Sequence, residues 1–184
     1  MILLYRGKSF ISWRIRCATL SPYSHAAWLE TTEAERVLLR ENCHDKTIWP
    51  SLNDSIVDFG CIEAWHKGDG VRETDSLRDG HKAGTVIDIF DPIGMHEWKF
   101  DLMAEHLRGR VGDDYWFKGI LWARTNRFNK HAAPDGKWFC SHLIEDAMRY
   151  LDGPTTDPRI PAHGVWPGSL ERSVLTNYLG SVTI

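Results

Sequence analysis

The chain has 184 residues, 42% of them hydrophobic, with 22 basic and 25 acidic residues and a formal net charge of −3. That length suits one domain burying about 70% of its unfolded surface, and the near balance of charge gives no global field for nucleic acid or an anionic membrane. No segment approaches the roughly 18 apolar residues needed to span a bilayer, and the short apolar run before Arg6 falls short of a secretory leader, so the expectation is a cytoplasmic or otherwise soluble chain without signal peptide or stable membrane insertion.

In chain order, "ILLY" reads as a strand and "SFISWRIRCATL" as a short helix. "SHAAWLE" (24–30) and "RVLLREN" (36–42) read as strands around a polar turn. Residues 43–59 fit neither period and read as a loop excursion; "GCIEAW" (60–65) is a strand, and "HKGDGVRET" a turn and strand. "GTVIDIFD" (84–91) is a buried strand rich in branched residues. Beyond Pro92 the texture turns helical, with "MHEWKFDLMAEHLRGRVG" and "YWFKGILWART" as helices, and 152–184 is a Pro- and Gly-punctuated tail. Strands gather in the first half and helices in the second. This predicts an α+β fold over 1–184, a small antiparallel sheet or half-barrel with helices packed on one side.

Cysteines at 17, 43, 61 and 140 show no C-x-x-C spacing, so free thiols, no metal and no cofactor are expected. His44 beside Cys43 is a polar loop pair, and "ARTNRFNKH" (123–131) a solvated basic loop, leaving nucleic acid outside the expected partners.

"WFCSHLIEDAM" (138–148) carries the chemistry. At about 100° per residue, Leu143, Ile144, Ala147, Met148 and Leu151 fall within about 80° of Cys140, so Cys140 starts the packed stripe of an amphipathic helix. Glu145, Asp146 and Arg149 fall opposite, and "DGP" ends the helix, Gly153 being suited to a left-handed turn. Unpaired N–H groups at a helix start carry partial positive charge and favour a thiolate. Yet free cysteine is commonly an inert buried hydrophobe; position alone does not separate the two.

A base would separate them. His142 lies about 200° from Cys140 on the wheel and is expected to face solvent. His25 shares one strand face with Ala27 and Leu29, and could meet a helix packed there, or serve as a hydrogen-bonded structural residue. Glu63, between Ile62 and Ala64, is awkward in an apolar run unless a donor meets it. It is either the group that orients His25 or an edge-strand charge facing water.

The ordered segments "YRGKSFISWRIRCATLSPYSHAAW", "IEAWHKGDGVR", "YWFKGILW", "WFCSHLIEDAM" and "WPGSL" resemble the permuted papain-like amidases and peptidases of the YiiX type. These are relatives of the NlpC-type cell-wall hydrolases and of lecithin retinol acyltransferase, found in bacteria and their viruses. The resemblance implies a circularly permuted papain-like core with Cys140 as nucleophile, His25 as base and Glu63 as third polar residue. Ser141 matches the serine after the nucleophile. His142 stands where a glutamate is usual, and Trp166 and Ser169 depart from the family's "TPGDL".

The expected activity is cysteine-dependent hydrolysis of an amide or ester through a thioester. The Cys140 N–H, and more weakly Tyr23, would serve the oxyanion, and the substrate would be a peptide, cell-wall or acyl compound. An acyltransferase using the same Cys–His chemistry and a catalytically silent binding module are the alternatives.

Overall fold

The computed structural model of the chain describes residues 1–43, 49–66, 68, 70–122, 134–173 and 176–184. The first apolar run forms β1 (Ile2–Arg6), with Ile2 to Tyr5 fully buried. It is followed by α1 (Phe10–Thr19), whose N-cap Ser9 accepts from the Ser12 N–H, and by β2 (His25–Leu29). Then come α2 (Glu33–Asn42), α3 (Trp49–Ile56), β3 (Cys61–Trp65), β4 (Gly70–Thr74), β5 (Val86–Pro92) and α4 (Glu97–Arg108). The last part contains β6 (Asp114–Tyr115), α5 (Phe117–Trp122), β7 (Lys137–Trp138), α6 (Cys140–Tyr150), α7 (Pro167–Glu171) and β8 (Thr176–Thr183). The result is a mixed α+β fold with a six-stranded antiparallel sheet in the order β4-β3-β2-β1-β5-β8, and a small parallel pair β6-β7.

Register places the polar residues. Tyr5 lies opposite His25, Ala27 opposite Glu63, and Glu63 opposite Arg72. Because side chains alternate along a strand and direct partners share a face, Tyr5, His25, Glu63 and Arg72 all project from one side. A one-residue slip in any of these pairings would send part of the set to the other face.

Three segments differ from their sequence reading. Residues 36–42 are helical, within α2, rather than a strand. Thr32 Oγ1 accepts from Glu35 N–H and Glu35 Oε2 accepts from Thr32 N–H, a reciprocal cap that starts the helix. The 43–59 excursion contains α3; His44 and all of the basic loop 123–131 lie outside the described residues. The tail contributes β8, which joins the sheet edge through a bulge between Ile89 and Phe90 of β5. Gly180 within "TNYLGSVT" weakens the alternation that would otherwise have marked that strand.

Helix α6 packs on β2 and β3, and Leu143, Ile144, Ala147 and Met148 are buried as the wheel predicts. Glu145, expected in solvent, is buried as well. Its carboxylate accepts from Arg149 Nε and Nη2 at 2.9 and 2.7 Å and from the Thr156 N–H, so the chain leaving the helix folds back over that face. The helix closes with Asp152 in the left-handed region (φ 47°), one residue before Gly153. Asp152 and Gly153 N–H groups donate to the Arg149 and Met148 carbonyls at 3.1 and 2.7 Å, the paired bonds of a Schellman end.

Gly70 fixes the approach of β6 to the sheet. Its φ is +62°, and a Cβ there would lie 1.9 Å from the Asp113 carbonyl oxygen. The neighbouring Val71 N–H donates to that same oxygen at 2.8 Å. Gly70→Ala is expected to destabilise the protein by about 2 kcal/mol or more, from left-handed strain and overpacking together. Denaturant unfolding of the variant checks this.

Candidate active site

His25 opens β2 and Glu63 occupies the middle of β3; antiparallel pairing brings them together on one face. His25 Nε2–H donates to Glu63 Oε2 at 2.5 Å. The carboxylate is fully buried, yet it is no orphan. Arg72, across the strand pair, donates to Oε1 from Nε and Nη2 at 2.9 and 2.6 Å, and His81 Nε2–H donates to Oε2 at 3.4 Å. Burial opposes ionisation of Glu63, but the His25 charge and the bonds from His25 and His81 hold its carboxyl well below the usual range.

Rings fix the two imidazoles. His81 stacks on Tyr5 at 4.3 Å between centroids and meets Trp65 edge-on at 4.8 Å. His25 meets Tyr5 at 5.1 Å and Trp65 at 5.7 Å, both edge to face. Arg72 lies over the Trp65 ring at 4.4 Å, so one indole braces the guanidinium and both histidines.

Cys140, the first residue of α6, is completely buried. It lies near enough to influence the charge of the His25 ring, whose Nε2 is taken by Glu63. Burial lowers the His25 pKa, but the Glu63 carboxylate and then Cys140 outweigh it and raise it to about 10. The cationic form of the imidazole is thus favoured beside the Glu63 carboxylate. Phe139, the N-cap, has no side-chain acceptor and makes no capping bond. The first N–H groups of α6 are therefore left unclaimed by any side-chain cap, beside the sulfur. Cys61 is also buried: burial pushes its thiol up to about 12, and it is packed beside Thr74 and Tyr5.

The other predicted residues have different places. Ser141 Oγ donates to the Val165 carbonyl at 2.8 Å, tying the helix start to the segment before α7. Tyr23, considered for the oxyanion, has its hydroxyl engaged elsewhere: it donates to the buried Asp88 at 2.6 Å, which also pairs with Arg6 and accepts from Ser181. His142 does not face solvent. It is buried against Trp138, Phe139, Trp116 and His163, and burial with the nearby His163 and Arg149 lowers its pKa to about 3. The wheel correctly turned it away from Cys140 but had no knowledge of the chain that covers that side.

Sequence reading missed His81, Arg72 and Tyr115. Arg72 was the findable one, since pairing "CIEAW" with "GVRET" sets a cation opposite Glu63. His81 lies in a turn-rich stretch without periodicity. Burial, against the pull of Glu63, holds the His81 pKa below the ordinary imidazole value, with the His25 and Arg72 charges adding to the effect.

Ligand atoms of His25, Glu63 and His81 all lie within 4.8 Å of one another and so could hold a metal ion. Arg72 and the His25 proton already balance the Glu63 charge, and a divalent ion would have to displace that proton beside a guanidinium.

A cleft opens beside His25, lined by Ile11, Ser24, Trp65, His81, Lys82 and Tyr115 among others. Burial raises the Tyr115 pKa well above the ordinary phenol range, with Cys140 and Glu63 adding to it. Tyr115 forms part of the wall of this cleft beside His25.

Two outcomes are expected. Glu63→Gln should lower the His25 pKa from about 10 by about 1–3 units, the usual effect of losing an adjacent opposite charge; ring-resolved NMR titration reads it directly. Tyr115→Ala should speed alkylation of Cys140 by iodoacetamide relative to the exposed Cys17, measured by peptide mass spectrometry.

No protein-family model matches the chain and no curated protein matches it, so the buried Cys140–His25–Glu63 set is itself the ground for a functional reading.

Proposed function

We propose that the protein is a cysteine-dependent hydrolase that cleaves an amide or ester bond through a thioester, on a circularly permuted papain-like core. One observation carries the reading: a buried carboxylate orients an imidazole through Nε2, and that imidazole also lies within electrostatic reach of a cysteine at a helix start. Papain-like order would run cysteine before histidine; here His25 and Glu63 precede Cys140 in the chain, as in the permuted families that the sequence resembles.

In this reading the Cys140 sulfur, as thiolate, attacks the carbonyl carbon and the carbonyl π electrons move to oxygen. The Cys140 backbone N–H, at the uncapped start of α6, donates to that oxyanion. Collapse of the adduct expels the amine or alcohol, which takes the proton held by His25. His25, now neutral, accepts a proton from water as the water attacks the thioester, and the acid product leaves with Cys140 as thiolate and His25 as imidazolium. Glu63 keeps the ring oriented and charged, with Arg72 and His81 fixing the carboxylate in turn. Apolar walls from Ile11, Trp65 and Tyr115 suit the carbon skeleton of an acyl group.

A panel of amide and ester substrates tests the proposal. Cys140→Ala should abolish turnover, and His25→Ala should reduce it by on the order of 100-fold or more, the scale for losing a general acid and base, with the fold unchanged by circular dichroism. Mass spectrometry of the parent protein should find the acyl group on Cys140. An adduct that persists and passes only to an added amine or lipid acceptor would identify an acyltransferase. Turnover unaffected by Cys140→Ala would sink the proposal.

A further inference from the structure

Helix α1 is built in a way that the catalytic reading leaves unused. Ile15 and Thr19 are buried, and Ile11, Ser12 and Ile15 line the cleft beside His25. Its opposite side carries side chains that a globular protein ordinarily hides: Phe10 is 69% exposed, Trp13 53% and Leu20 64%. At about 100° per residue Phe10, Trp13 and the exposed Cys17 fall in one arc of about 60°, and Leu20 is exposed at the end of the helix. Phe10 and Trp13 stack on one another with centroids 5.8 Å apart, so they form one aromatic surface rather than scattered exposures. Leu20 is held outward in the left-handed conformation, φ 51°, which costs a branched residue about 1 kcal/mol.

Charge surrounds this strip. Arg14 flanks it on one side of the wheel and Arg16 on the other, with Lys8 just ahead of the helix, and Arg14 lies 6.0 Å from the Phe10 ring centroid. Lys8, Arg14 and Arg16 are accompanied by no acidic residue before Glu30, in a chain whose overall charge is −3, whereas Arg6 is already paired with Asp88. A second copy of the chain is a poor occupant, because a two-fold contact through this face would set these cations against their own copies. An aromatic strip on a convex helix, edged by arginine and lysine, instead matches the boundary between anionic headgroups and acyl chains.

We infer that the outward face of α1 docks on an anionic phospholipid surface. The inference rests on α1 alone and stands whether or not Cys140 is a nucleophile. The full chain should sediment with vesicles of phosphatidylcholine and phosphatidylglycerol in equal parts and far less with phosphatidylcholine alone, with binding weakened by salt. Lys8→Ala with Arg14→Ala should reduce partitioning about 30-fold, the product of two cations at a membrane surface. Phe10→Ser with Trp13→Ser should reduce it at least as much, both pairs keeping the parent's circular dichroism. In the parent, the mixed vesicles should also slow alkylation of Cys17. Absence of binding to mixed vesicles at low salt, equal binding to both compositions, or undiminished binding by the serine pair would overturn the inference. So would a dimer in sedimentation velocity that the serine pair abolishes.

Discussion

A carboxylate with no exposure to water dominates this structure. Placed in the sheet without partners, the Glu63 charge would cost several kcal/mol; it is instead met by Arg72, His25 and His81. Each of those groups is in turn constrained: Arg72 by the Trp65 face, His81 by Tyr5, His25 by both rings. Satisfying one buried charge thus orders the surrounding side chains, and the imidazole that meets Cys140 is ordered as part of that set. Glu63 thereby sets the charge and direction of the His25 ring.

The two halves of the site have different mechanical origins. His25, Glu63 and Arg72 sit on neighbouring strands, so backbone pairing fixes their spacing before any side chain packs. Cys140 arrives on a helix positioned by hydrophobic contact with β2 and β3, by Ser141 on Val165, and by the Glu145 clamp behind it. Strand pairing tolerates little adjustment, whereas a packed helix can shift slightly. The distance between sulfur and imidazole is therefore the more adjustable coordinate.

Much of this was visible in the residues because period and chemistry agreed. "HAAWL" and "CIEAW" are too apolar to hold a histidine and a glutamate without a polar reason, and the stripe beginning at Cys140 could be read from spacing alone. What escaped detection depended on one local cap and on long-range partners. The capped helix over 33–42 has a mixed pattern in which Val37 and Leu38 are left exposed, and it was the local Thr32–Glu35 cap that decided its type. His142 and Glu145 were sent outward by a wheel that treats the far side of a helix as water, whereas a covering segment makes it interior. His81 sits in an aperiodic turn, so only the fold could bring it to Glu63.

The seat of the Cys140 helix on Val165 has a consequence for biogenesis. During synthesis the sheet partners of His25 leave the ribosome early, while Cys140 emerges late and the residues that anchor its helix emerge later still. Domains complete their tertiary packing only once such distant segments are available. His25 can thus meet its strand partners well before Cys140 and its anchoring segment are available to pack beside it.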